Sequence, residues 1–383
     1  MEKIIELYRQ EIAGYLEKKP EQIFLHWKGR VSLFAILKAM GVGIDDEVIL
    51  PAWTCVVVPN AIQYLGAKPV YVDVDLKKFT IDVSQIEAAI TSRTKVIICQ
   101  NTYGLSPDIT LIKKIAKRHT IPTIEDCAHG FGGSYCGSLN GTHCDAAFFS
   151  TQWNKPYSTG LGGIALINNS SLIPLMQKTE KEKVCPSIAE SFMLQLLLLI
   201  RDRFLNERNY WTLINMYRYL SKYNLIIGSS SGGELKSTAM PARFYKGICR
   251  AQAKKGIQQL PKVEALISKR RENAALYSDF LMKNNKTFVD SSFFPNHSFL
   301  KYPLKVRDSS AFLKIAQQNN IMLGDWFVSP IHPVKESFAL WGFDLNLFPA
   351  AKSISSKIVN LSTDSDNVDH TIKFLEKYSS YIE

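Results

Sequence analysis

Disulfide and metal scaffolding find no support in the cysteines of this sequence. There are seven, an odd number at irregular spacing, and no Cys-x-x-Cys pair occurs. That pattern argues against a zinc site or a disulfide frame, so no metal is expected, and it fits a reducing cytoplasm. Long apolar runs are missing too. The most apolar stretch, Ser191 to Ile200, is ten residues, whereas a bilayer-spanning helix takes about 20. The N-terminal MEKIIELYRQEIAGYLEKK reads as a charged amphipathic helix and not as a signal peptide. Neither an internal repeat nor a low-complexity tract is visible. The formal charge is +11, but it has no arginine-rich tail and no interleaved aromatic-basic block. Its basic residues are scattered (Lys113-Lys114, Lys254-Lys255, Lys269-Arg270-Arg271). This favours phosphate-bearing ligands over nucleic acid.

What is present is an alternation of strand and helix. Glu2 to Lys18 has helical periodicity. Gly29 opens an apolar helix through Met40, and Glu47 to Leu50 is a short strand stopped by Pro51. A glycine at a helix start lets backbone N–H groups face an anion, although most such glycines are simply turns. Strands then recur at PVYVDVD, Lys95 to Gln100, IPTIED, DAAFFS and GGIALINN, the first four separated by helical or loop segments. The order predicts an α/β fold with a mainly parallel central sheet and helices on both faces, with ligands at the carboxyl ends of the strands. Residues 172–220 form a helix-rich insertion. Its Ser191 to Ile200 segment reads either as a buried or dimer-facing helix, or as a helix lying on a membrane surface with Arg201, Arg203 and Arg208 at the headgroups. IIGSSSGGELKSTAMP is the most linker-like stretch. We therefore divide the chain into a large domain, 1–239, and a smaller C-terminal α+β domain, 240–383.

The chemistry concentrates in Ile121 to Ile164. Asp126 ends a strand, His129 follows three residues on, Ser150 ends the next strand, and Lys155 lies just beyond among Trp153, Pro156 and Tyr157. Each has an ordinary reading: a helix-capping acid, a loop histidine, a surface lysine. Together they match what pyridoxal 5'-phosphate (PLP) requires. A carboxylate must stabilise the protonated ring nitrogen, and a partly desolvated lysine must hold the aldehyde and shuttle protons. Asp126 and Lys155 fill those roles. His129 can bond the phenolic oxygen, and Ser150 the phosphate.

The motifs DEVILPAWT, GAKPVYVDVD, TKVIICQNTYG, IEDCAH, FFSTQWNK and TGLGG, with YPLKV, GDWF and VNLST downstream, resemble the DegT/DnrJ/EryC1/StrS family of PLP-dependent sugar aminotransferases. The resemblance implies a three-layer fold type I architecture. It also implies an amino group moved, usually from glutamate, to a keto group of a nucleotide-linked sugar. Lys155 would be the catalytic lysine and Asp126 the ring-nitrogen partner. His129 and Ser150 would complete the cofactor site, with the backbone of Arg30 and Val31 after Gly29. A homodimer is implied, each site being completed by the partner. The chain departs from the family pattern in several places. Cys55 stands where an aromatic often stacks on the ring, which makes Trp53 and Tyr103 the alternatives. Leu161 replaces an acid, and Gln152-Trp153 replaces a histidine before the lysine. Trp153 and Tyr103 are the expected substrate contacts, and Arg243 is the substitute for a missing arginine that reaches the partner. Two further readings stay open: another PLP-dependent reaction on a sugar or small amine acceptor, and a non-catalytic scaffold or regulator.

Overall fold

Seven strands of the chain, most of them apolar and buried along their length, assemble into one sheet. A computed structural model describes residues 2–205, 209–223, 225–228 and 233–383. In chain order the strands are β1 (Ile23–His26), β2 (Glu47–Pro51), β3 (Lys68–Val72), β4 (Thr94–Gln100), β5 (Thr123–Asp126), β6 (Ala146–Ser150) and β7 (Gly163–Ile167). Their spatial order is β1-β7-β6-β5-β4-β2-β3. The run from β6 to β3 is parallel, while β7 is antiparallel to both β6 and β1. This is the mainly parallel sheet expected. The carboxyl ends of β4, β5 and β6 place Gln100, Asp126 and Ser150 on one edge.

Helices cover both faces. On one side lie α2 (Gly29–Ala39) and α3 (Val57–Gln63), with Leu33, Phe34, Leu37 and Ile62 in a large core. Elsewhere α4 (Ile109–Arg118) buries Ile109, Ile112 and Ile115, a helical-period stripe against Ile97 and Cys99. The first helix, α1 (Glu2–Tyr15), packs Tyr8 and Ile12 with Phe131, Phe149 and Tyr157.

The helical insertion is α5 (Ile173–Glu180), α6 (Ile188–Phe204) and α7 (Tyr210–Lys222). A capping box starts α6: the Glu190 N–H donates to Ser187 Oγ at 3.1 Å, and Glu190 Oε2 accepts from the Ser187 N–H at 2.7 Å. Its inner face puts Leu194 and Leu198 against Trp27, Leu161 and Cys249, so the bland expectation of a packed helix holds for that side. Among the described residues no helix is long and apolar enough to cross a membrane. Arg201, expected at headgroups on the membrane reading, turns inward. Its Nη1 donates to Ser158 Oγ at 2.9 Å, and its guanidinium lies 5.4 Å from the Trp153 ring centre. Arg203 is exposed, and Arg208 lies outside the described residues.

Beyond the linker-like stretch, of which 229–232 lie outside the described residues, come α8 (Arg250–Gln259) and the long α9 (Val263–Lys283). Residues 245–267, assigned by sequence to the smaller domain, pack on the large sheet. The Trp27 N–H donates to the Lys246 carbonyl, and Ala253, Val263 and Ile267 share the core of Tyr8 and Phe131. A separate core follows, built from Ala274 to Ile382. It surrounds the antiparallel strands β8 (Tyr302–Lys305), β9 (Leu323–Gly324) and β10 (Ile358–Leu361), in the order β8-β10-β9, and the helices α10 (Ser309–Gln318) and α11 (Val368–Lys377). A short parallel pairing of Ile331–His332 with Thr54–Cys55 ties this part to the large sheet. It carries the loop between β9 and His332 across the strand ends.

Candidate functional site

A cavity of about 1260 Å³ opens at the carboxyl ends of β4 to β6. Gly29, Arg30, Cys55, Asp126, His129, Ser150, Trp153 and Lys155 all line it. The residues singled out from the sequence are therefore largely brought together.

Asp126 ends β5 and is buried. Its Oδ1 accepts the Ala128 N–H at 2.9 Å. Burial pushes its carboxyl up to about 7, with the Ala128 N–H and Lys155 pulling the other way. A desolvated carboxylate of this kind gains from a cation placed against it. Lys155 sits in a turn closed by its own N–H to the Gln152 carbonyl at 3.0 Å. Burial lowers its amine from the ordinary 10.5 to about 8, while Cys55 and Asp126 favour the charged form. Its Nζ lies 4.3 Å from the ring centre of Trp326.

His129 is held by its back nitrogen: the Tyr103 N–H donates to Nδ1 at 3.2 Å. That bond assigns the ring proton to Nε2. Burial keeps the imidazole well below its ordinary value, so His129 is a neutral donor. Its ring stacks on Trp326 with centres 5.1 Å apart and planes within 5°.

The start of α2 and the end of β6 are brought together by close backbone approach. A Cβ on Gly29 would stand 2.8 Å from the Ser150 Cβ, so only glycine lets the start of α2 meet the end of β6. A Cβ on Gly163 would stand 2.3 Å from the Lys28 carbonyl oxygen, which explains the paired glycines after the lysine loop. Arg30 is buried, and its Nη1 donates to Glu234 Oε1 at 2.6 Å.

Two predicted contacts are corrected by packing. Tyr103 lies behind the cavity wall: it is buried, and its hydroxyl accepts from Trp53 Nε1 at 3.2 Å. Its contribution is the backbone N–H that orients His129, and Trp53 is likewise buried behind the wall. The Val31 N–H is bonded to the Lys28 carbonyl at 3.0 Å, and Val31 is absent from the cavity lining. Leu161 faces away from the lysine, into the cluster beneath α6. Trp153 does line the cavity, and its Nε1 donates to the Tyr217 hydroxyl of α7 at 3.0 Å. Arg243 is exposed, and its Nη2 donates to the Cys185 carbonyl at 3.0 Å.

Sequence reasoning missed the ceiling of the site. Trp326 and His332 come from the small domain and line the cavity. Burial lowers His332 to about 4, against the pull of Asp325. Trp326 brings an aromatic ring to the cavity beside Lys155, and its place within the motif GDWF was the available signal. Among the described residues no group of three or more His, Cys, Asp or Glu forms a metal site.

These residues fit PLP. Asp126 suits the ring nitrogen, Lys155 the aldehyde, and His129 the phenolic oxygen; the Gly29 helix start and Ser150 suit the phosphate. The family model described as "DegT/DnrJ/EryC1/StrS aminotransferase family" matches residues 8–183 and 246–373. GDP-perosamine synthase of Escherichia coli O157:H7 is 42% identical over 144 residues, 38% of this chain and 40% of that protein. UDP-2-acetamido-2-deoxy-3-oxo-D-glucuronate aminotransferase of Pseudomonas aeruginosa is 41% identical over 145 residues, 38% of this chain and 40% of that protein. The matched part thus spans about 40% of the length of these curated relatives. NtdA from Bacillus subtilis, solved with bound cofactor PMP, superposes with a TM-score of 0.70 at 19% identity, covering 98% of this chain and 76% of that one. At that identity it shows the shared fold. With the family model covering both sides of the helical insertion, the chain belongs to the DegT/DnrJ/EryC1/StrS aminotransferase family.

Proposed function

We propose that this chain is a PLP-dependent aminotransferase that moves an amino group from glutamate to a keto group of a nucleotide-linked sugar. The observation that carries the reading is the placing of half-buried Lys155 and buried Asp126 on the wall of one cavity. When bound, PLP supplies an electron sink for charge developing at the substrate carbon. Asp126, stabilised as an anion by the ring nitrogen, keeps that sink protonated. The Nζ of Lys155, its amine lowered to about 8 by burial, would be the group that accepts the proton from the donor's reacting carbon. His129 Nε2 donates to the phenolic oxygen and fixes the ring plane. Trp326 and the lysine-loop aromatics exclude water from one face.

The names of relatives acting on GDP- and UDP-linked sugars support that acceptor class. A homodimer in the cytoplasm is part of the same reading. The seven free thiols support a reducing compartment. Purified protein with PLP should show a visible absorption band that glutamate bleaches, and borohydride should fix the cofactor to Lys155. A Lys155→Ala variant that still traps PLP at the same peptide region would sink the assignment.

A further inference from the structure

Two cations on the cavity wall, buried Arg270 and half-buried Lys301, are not used by the cofactor residues. Arg270, on α9, is 3% exposed. Its Nη1 donates to the Pro156 carbonyl at 3.3 Å, and its Nη2 lies 3.5 Å from Asp364 Oδ2. Its Nε is buried with no hydrogen-bond partner. Lys301, just before β8, lines the same cavity. Its ammonium makes no hydrogen bond or ion pair among the described residues. Burial lowers the Lys301 amine, with Asp364 opposing. Burial would raise Asp364, but Lys301 and Arg270 outweigh it and hold that carboxyl well below the usual range. Among the described residues Asp364 is therefore ion-paired to Arg270 alone while lying in the field of both cations. Asp325 acts on Lys301 more weakly than Asp364 does.

A buried donor without a partner calls for a ligand or an ordered water. The free Nε belongs to the side edge of the guanidinium, a fork that matches the two oxygens of a carboxylate. The phosphate of the cofactor already has its seat at Gly29 and Ser150. Arg270 holds the carbonyl of Pro156, the residue after Lys155, and the charge of Lys301 bears on the Lys155 amine across the same cavity.

We propose that Arg270 and Lys301 form a carboxylate-binding subsite beside Lys155 that holds a carboxylate of the substrate and selects for acids. It rests on the aminotransferase reading above. The carboxylate has two chemical sources: the amino donor, or an acceptor sugar of the uronic class.

Calorimetry on the PLP-loaded protein separates them, using glutarate as one probe and UDP-glucuronic acid against UDP-glucose as the other. Charge-assisted contacts predict about 10- to 100-fold weaker binding in Lys301→Met, recovered in Lys301→Arg. Loss confined to glutarate assigns the subsite to the donor. Loss of the preference for UDP-glucuronic acid assigns it to the acceptor. The proposal is overturned if wild type binds neither acid, or if Lys301→Met and Arg270→Lys both bind as wild type does with unchanged circular dichroism. Failure of wild type to take up PLP would instead sink the aminotransferase reading. In that case glutarate binding, and its loss in Lys301→Met, still decides the subsite.

Discussion

The ionisation of Lys155 is the most exacting test of the site's electrostatics. Burial brings its amine from 10.5 to about 8. At pH 8 about half of it is then neutral, against roughly 0.3% of an unperturbed lysine, so reactivity toward an electrophile should be about 160-fold higher. The sign follows from the charged form being the desolvated one. Between pH 8 and 10.5 the unfolded chain keeps the proton that the native state has lost, so this group's contribution to stability rises with pH across that window. Asp126 favours the cation, so Asp126→Asn should move the midpoint below 8. Competitive trace acetylation of the cofactor-free protein, read at the Lys155 peptide by mass spectrometry against N-acetyl-lysine, gives the profile directly. A Lys155 midpoint near 10, or an upward shift in Asp126→Asn, would refute the electrostatic reasoning.

Asp126→Asn should also weaken PLP binding while raising the melting temperature of the cofactor-free protein. The native carboxyl titrates at about 7 rather than 3.8, so the wild type loses stability from pH 4 to 7 as the unfolded chain releases the proton first. The difference between the two proteins should therefore grow across that window and vanish below it. Gly29→Val should block the approach to Ser150, where even a Cβ meets an atom at 2.8 Å, and PLP affinity measured by absorbance titration should fall at least about tenfold. Leu161→Glu should cost about 3 kcal/mol or more in urea unfolding, because the carboxylate enters the cluster of Trp27, Leu194 and Leu198. The loss should be smaller at pH 5, where that carboxyl is more readily neutral. Trp326→Ala should leave the fold intact by circular dichroism, yet raise the PLP dissociation constant and shift its absorption band, since the indole stacks on His129 and faces Lys155.

The floor of the site was legible in the chain because it is local. Asp126, His129, Ser150 and Lys155 fall at or just past strand ends, and in a parallel sheet every such end lies on the same edge. The sheet itself was legible because strands buried on both faces must be apolar throughout, and those runs are bounded by glycine, proline and polar turns. Leu161 stands close to Lys155 in the chain yet packs beneath α6. Tyr103, expected to touch substrate, has a buried side chain, and its backbone N–H holds His129. Trp326, His332, Arg270 and Lys301 line the same cavity as the lysine only because the small domain packs over the strand ends, tied there by the pairing of Ile331–His332 with Thr54–Cys55. Hydrophobic period and strand-end position are properties of short segments, so the amino-acid order was enough for the sheet and the cofactor floor. The ceiling, with its indole and its two cations, depends on contacts between segments far apart in the chain. No local pattern encodes them, and the packing of one domain on the other puts them in place.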